Sequence, residues 1–212
     1  MKQIICILLL LLSYFAKAQN FRAEITAGIA GSQVSGDQLG GFNKAGILAG
    51  AGIRTGLGGD FDLGFRIQYF QKGSRKPVKA ENLDSGFYLL RLNYMELPLT
   101  LRYHFSKNFY MEAGPSLGYL LKSTEEDENG IMNFRQTFYR FDLSLCGAFG
   151  YALTKELDFQ FGAWQSLLPI REHGSGQVYR LNRGQYSSVV SFSLLYTFRP
   201  KKESEENKQA SR

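Results

Sequence analysis

Eight segments of the chain alternate apolar and polar residues with a period of two, as strands do when their faces meet different environments. The apolar series begin with Phe21, Ala23, Ile25, Ala27, Ile29, then Ile47, Ala49, Ala51, Ile53, then Phe61, Leu63, Phe65, Ile67, Tyr69, then Leu97, Leu99, Leu101, Tyr103. They continue with Met111, Ala113, Pro115, Leu117, Tyr119, then Phe141, Leu143, Leu145, Gly147, Phe149, Tyr151. Leu157, Phe159, Phe161, Ala163 and Val190, Phe192, Leu194, Tyr196, Phe198 complete the set. The opposite face carries charge: Arg22, Glu24, Arg54, Asp62, Arg66, Glu96, Arg102, Glu112, Arg140, Asp142 and Asp158. Alternation alone does not say which face is inside.

The connections do. Short ones (Gly56 to Asp60, Ser106 to Asn108, Thr154 to Glu156) alternate with long ones, roughly Gly31 to Lys44, Gly73 to Phe87, Lys122 to Phe138 and Pro169 to Gln185. Barrels of bacterial outer membranes combine short periplasmic turns with long extracellular loops and strands of about ten residues. No run of eighteen apolar residues follows the first segment, so a span must be made by a closed barrel. The chain therefore reads as an all-β, eight-stranded antiparallel up-and-down transmembrane β-barrel, with charges toward the lumen and apolar residues toward lipid.

Aromatic placement agrees with that orientation. Phe61, Tyr103, Phe109, Tyr151, Phe159, Tyr196 and Phe198 lie by the short turns. Tyr69, Tyr94, Tyr119, Tyr139, Phe141 and Tyr186 lie by the long loops, so the two sets form interfacial girdles.

The ends of the chain are read separately from the barrel, which is assigned to residues 19–198. Lys2, the apolar run Ile4 to Leu12 and Ala16-Lys17-Ala18 form a secretory signal peptide over residues 1–18. Cys6 falls inside the apolar run, so it is not a lipidation site. Removal of the signal leaves Cys146 as the only cysteine, and no disulfide framework is available. Loss of Lys2 and Lys17 lowers the formal charge from +6 to +4, and the basic residues are scattered, which excludes a nucleic-acid footprint. Residues 199–212, from Arg199-Pro200-Lys201-Lys202 onward, read as a disordered, charged periplasmic tail.

The stretch Leu92-Asn93-Tyr94-Met95-Glu96-Leu97-Pro98-Leu99, closed by Tyr103-His104-Phe105, is followed by Phe109-Tyr110-Met111-Glu112-Ala113-Gly114-Pro115-Ser116-Leu117-Gly118. Together with Tyr69-Phe70-Gln71-Lys72-Gly73, it resembles the PorT-like outer-membrane β-barrel family of the Bacteroidota across roughly Ile25 to Phe198. Arg66 stands where that family usually has an acidic residue, and Ala30 where it often has Asn. The resemblance implies an integral outer-membrane protein, and for some members an accessory role in a protein-secretion machine.

Catalysis finds little support. His104 sits beside a short turn, away from surface substrates. His173, with Glu172 and Ser175 nearby, is in a long loop, but adjacency is not a triad. Glu125-Glu126-Asp127-Glu128-Asn129 offers carboxylates without the glycine and spacing of a calcium loop. Lys72, Arg75, Lys76 and Lys79, with Arg171, Arg180 and Arg183, could pair with lipopolysaccharide phosphates or simply be surface charge. No cofactor is expected. Eight strands leave a lumen that side chains can fill, so a plugged, non-catalytic barrel with a structural or accessory role is the primary reading. An envelope lipid-modifying enzyme and a narrow solute channel are the alternatives. Expected partners are outer-membrane lipid, lipopolysaccharide and an outer-membrane or periplasmic protein.

The short turns also imply register. Phe105 opposite Phe109 sets Arg102 against Glu112, and Thr55 opposite Phe61 sets Arg54 against Asp62, each pair pointing inward within salt-bridge reach. The first of these registers sets Pro98 opposite Ser116 and Leu99 opposite Pro115. Proline cannot donate to a ladder, so a local break is expected there.

Overall fold

A computed structural model describes residues 21–37, 39–76, 86–132, 137–172 and 184–198. The signal peptide, the tail after Phe198, His173, Ser175, Lys79, Arg180 and Arg183 lie outside the described residues. The strands are β1 (Arg22–Ser35), β2 (Lys44–Gly58), β3 (Phe61–Lys76), β4 (Tyr88–His104) and β5 (Phe109–Asp127). A two-residue β6 (Gly130–Ile131) follows, then β7 (Phe141–Ala152), β8 (Leu157–Ser166) and β9 (Tyr186–Thr197). All pairings are antiparallel, each long strand pairs with its sequence neighbour, and β1 pairs with β9. The short β6 pairs only with β5, so the closed barrel has eight strands and leaves no ladder edge for lipid to strand.

Orientation follows from exposure. Leu99, Leu101, Phe159 and Phe161 are exposed on the outer surface, as are Ile25, Ile47, Ile67, Leu117 and Phe192. The inner face buries Glu24, Arg54, Arg66, Glu96, Arg102, Glu112 and Asp142. Arg140 departs from the expected face: it is exposed, because it precedes the start of β7 at Phe141 and escapes the strand's alternation.

The strands run further than the sequence pattern suggests. Segments read as loops from Gly31, Gly73 and Lys122 continue as β1 to Ser35, β3 to Lys76 and β5 to Asp127. Above the lipid-facing band the chemistry of the faces inverts. In Leu90-Arg91-Leu92-Asn93-Tyr94 it is Leu90, Leu92 and Tyr94 that point inward and are buried. With Val34, Leu120 and Ile170 they form an apolar layer, and a second one contains Ala30, Leu48, Phe70, Cys146, Trp164 and Val189.

Two irregularities set the register. Gly58 and Gly59 take φ of 106° and 60°, so the β2–β3 turn closes on Gly58 opposite Phe61. Leu57 is then an extra residue between Gly56 opposite Asp62 and that turn. At the prolines, β4 pairs with β5 through Pro98 opposite Ser116 and resumes only at Leu101 opposite Ala113. On its other side, pairing with β3 lapses between Leu99 and Glu96. Pro98 and Pro115 therefore share one patch in which the ladder opens, as the missing donors require.

That opening brings backbones close. A Cβ on Gly114 would sit 1.9 Å from the Leu99 carbonyl oxygen, whereas one on Gly147 meets only the Glu112 carbonyl oxygen at 3.5 Å. Gly114→Ala should cost about 1–3 kcal/mol, the usual penalty for forcing extra volume into a packed site. Urea unfolding from lipid vesicles should show a lowered midpoint for Gly114→Ala and little change for Gly147→Ala.

Candidate functional site

The centre of the lumen is a connected set of charges donated by six strands. Glu112 on β5 receives Arg66 Nη2 at 2.6 Å on Oε1, while Oε2 receives Arg54 Nη2 at 3.0 Å and Arg102 Nη2 at 3.0 Å. Glu24 on β1 receives Arg54 Nε at 2.9 Å and Arg66 Nη1 at 3.4 Å. Arg102 reaches across to Asp158 on β8 at 3.4 Å and stacks on the Tyr110 ring at 3.6 Å. Tyr110 in turn donates to Asp158 at 3.0 Å and accepts from Gln160 at 3.0 Å. Inward glycines leave the necessary room: a Cβ on Gly64 would come within 2.8 Å of the Arg54 guanidinium, and one on Gly150 within 1.9 Å of the Tyr110 ring.

Arg102 lies opposite Glu112 in the ladder and is bonded to it. Arg54 does not meet Asp62. The Leu57 bulge and the tighter turn slide the register by one pair of residues, so Arg54 faces Gly64 and Asp62 faces Gly56. A slide of two residues preserves the face, so both side chains still point inward but find other partners. Arg54 joins Glu24 and Glu112, while Asp62 pairs with Arg22 at 3.4 Å and His104 at 2.9 Å near the short-turn mouth.

A second, separate cluster lies among the apolar layers. Lys72 Nζ donates to Asp142 at 2.9 Å and also engages Glu96; both carboxylates are further held by the hydroxyls of Ser144 and Ser116. Lys72 Nζ lies 4.9 Å from the centre of the Tyr94 ring. The sequence pattern had offered Lys72 to external phosphates, but its side chain points into the lumen and is buried. Arg171 is likewise turned inward. It forks onto Glu125 at 2.7 and 3.3 Å, donates to Gln185 at 3.0 Å and stacks over Phe138 at 4.2 Å.

This outermost cluster disposes of the acidic run as a single site. Glu125 faces inward to Arg171 and Tyr88, Glu126 pairs outside with Arg91 at 2.6 Å, and Asp127 accepts from the Asn129 backbone at 2.8 Å. Burial, reinforced by the Glu125 hydrogen bond, holds the Tyr88 phenol protonated well above its usual range. Among the described residues no three metal-ligating side chains converge.

A small pocket lies in the mid-lumen. Between Arg66, Glu112, Cys146, Gln160, Trp164 and Ser193 there remains about 10 Å³, room for a single water at most. A vestibule of about 380 Å³ opens at the short-turn mouth and is bounded by Arg22, Asp62, His104, Tyr110 and Asp158. Sequence reasoning missed the buried apolar layers and the role of Arg171. The inward positions of Phe70, Leu90, Leu92 and Trp164 were available from strand parity alone, had the strands been extended past the girdle.

Because Glu112 is shared by three guanidinium groups, removing its charge strands more than one cation. Glu112→Gln should destabilise the folded barrel by about 3–5 kcal/mol, the range for breaking a buried ion pair on one side. Asp62→Asn, at the more open mouth, should cost far less. Chemical denaturation in vesicles, with both variants at matched lipid ratios, reads the difference.

A family model described as "Outer membrane protein beta-barrel domain" matches residues 16–171. Among solved structures, Ail of Yersinia pestis, determined with the heparin analogue sucrose octasulfate, is 12% identical over 84% of this chain and 99% of its own, with a TM-score of 0.47. Neisserial surface protein A is 14% identical over 86% of this chain and 100% of its own, with a TM-score of 0.46. The outer membrane protein OprG from Pseudomonas aeruginosa is 14% identical over 86% and 98%, with a TM-score of 0.45. No curated protein matches the sequence. With the model spanning most of the chain, this protein belongs to the outer membrane protein beta-barrel domain family and resides in the outer membrane.

Proposed function

We propose that this protein is a non-catalytic barrel whose lumen is plugged by its own side chains, and that it serves as a structural or accessory component presenting its long loops outside. One observation carries the reading: the pocket lined by Arg66 and Glu112 in the mid-lumen is about 10 Å³, too small for a hydrated solute. The charges there are matched to one another, which favours a fixed interior over a transport path. His104 is engaged with Asp62 at the short-turn mouth, and no hydroxyl or thiol nucleophile is bonded to it among the described residues.

The PorT-like resemblance carried by Leu92–Leu99 and Phe109–Gly118 supports a finer version, in which the barrel accompanies a protein-secretion machine. The partner is then another outer-membrane or periplasmic protein. Co-purification from detergent-solubilised membranes, with and without residues 199–212, tests that version. A reproducible partner that depends on this protein supports it, and an empty barrel under both conditions sinks it.

Conductance tests the plug itself. In planar bilayers the native barrel should give no stepwise openings in molar KCl. Arg54→Ala combined with Arg66→Ala, assembled and folded as judged by gel mobility, should admit small ion currents. Frequent openings from the native protein would favour the solute-channel reading instead.

A further inference from the structure

The outer edge of the lipid-facing band on β3, β4, β5 and β7 is a single row in register. Tyr69 lies opposite Met95, Met95 opposite Tyr119, and Tyr119 opposite Phe141. One step further out, Gln71 lies opposite Asn93 and Asn93 opposite Lys122. Regular alternation from the inward Leu120 would turn Lys122 into the lumen. It does not, because Asn93 pairs with Lys122 while Tyr94 pairs with Leu120, making Leu121 an extra residue. Bulges re-aim side chains in this way, and here the bulge puts an ammonium group on the outer surface.

Arg140 completes the arrangement from just before the neighbouring strand β7. Its carbonyl accepts from the Leu120 backbone at 2.8 Å, and its exposed guanidinium donates to the Tyr119 hydroxyl at 3.2 Å. Three nearby carboxylates among the described residues are committed elsewhere: Glu126 to Arg91, Glu125 to Arg171, and Glu172 to the Tyr139 hydroxyl at 3.0 Å. Lys122 and Arg140 line one groove with Leu121 and Ile131, which are 51% and 73% exposed. Directly below, Leu117 lies opposite Leu143, both facing lipid.

Two cations and a phenol at the rim of an apolar surface suit one kind of occupant. We propose that Lys122, Arg140 and Tyr119 seat a phosphate of an outer-leaflet phosphorylated glycolipid of the lipid A type. Its acyl chains run down the barrel wall over Leu121, Leu117 and Leu143. The guanidinium fork and the ammonium supply charge-assisted hydrogen bonds to phosphate oxygens, and the long-loop side of the barrel is where that leaflet lies. This site differs from the basic residues first considered for lipopolysaccharide, two of which, Lys72 and Arg171, are buried inside.

Native mass spectrometry of the full chain in mild detergent tests the proposal, with bisphosphorylated lipid A, phosphate-stripped lipid A and phosphatidylglycerol as separate probes. Bisphosphorylated lipid A should bind best. The double variant Lys122→Gln, Arg140→Gln should bind it roughly thirtyfold more weakly, given the usual contribution of each of the two cations near an anionic surface. Arg75→Gln, exposed at the outer end of β3, should bind as the native chain does. Heat-shifted gel mobility confirms that each variant is folded. Equal binding of the stripped lipid, equal binding of phosphatidylglycerol, or an undiminished double variant would each overturn the assignment.

Discussion

Backbone amides in hydrocarbon have no partner but one another, and every other feature of this chain is arranged around that condition. It forces closure, which here is made by β1 lying along β9 from Glu24 opposite Thr197 to Ser35 opposite Tyr186. Closure with eight strands then fixes the lumen's width, and the width decides what fills it. Long cationic side chains need matched carboxylates once they are taken from water, so the inward positions are occupied by Glu24, Glu112 and Asp158 around Arg54, Arg66 and Arg102.

The gap at the two prolines is instructive. Pro98 and Pro115 remove donors from adjacent strands, and the ladder yields between Pro98 and Leu101 rather than at two separate points. Gly114 lets the Leu99 carbonyl approach the gap, so a defect in hydrogen bonding is converted into a close backbone contact. Concentrating both prolines there confines the lost pairing to one patch, and β5 pairs with β7 without interruption from Phe109 to Tyr119.

Much of this was legible in the residues. The period-two series, the rhythm of turns and the girdle aromatics, apart from Tyr94, which is buried in the lumen, determine the barrel, which face turns inward and the Arg102–Glu112 register, because each depends on local parity. The Arg54 partner was not legible, since it depends on where Gly58 and Gly59 turn the chain and on Leu57 being surplus. Arg140 was misjudged for a related reason: a strand that starts at Phe141 resets parity without leaving a compositional mark. The apolar layers above the band escaped because Leu90, Leu92 and Tyr94 invert the membrane pattern into that of a water-soluble sheet. Contacts made across the lumen, such as Arg54 with Glu112 at 3.0 Å, join residues far apart in the chain and have no local signature.

The order in which the central charges occur along the chain bears on how the barrel assembles. Glu24, Arg54, Arg66, Arg102 and Glu112 all belong to β1 through β5, so the first five strands already hold most of the network. Within this one network the first five strands supply three guanidinium groups and two carboxylates, and the third carboxylate is Asp158 on β8. Until β8 arrives, Arg102 shares the Glu112 carboxylate without its second partner. Sealing the barrel therefore also completes the carboxylate set around Arg102.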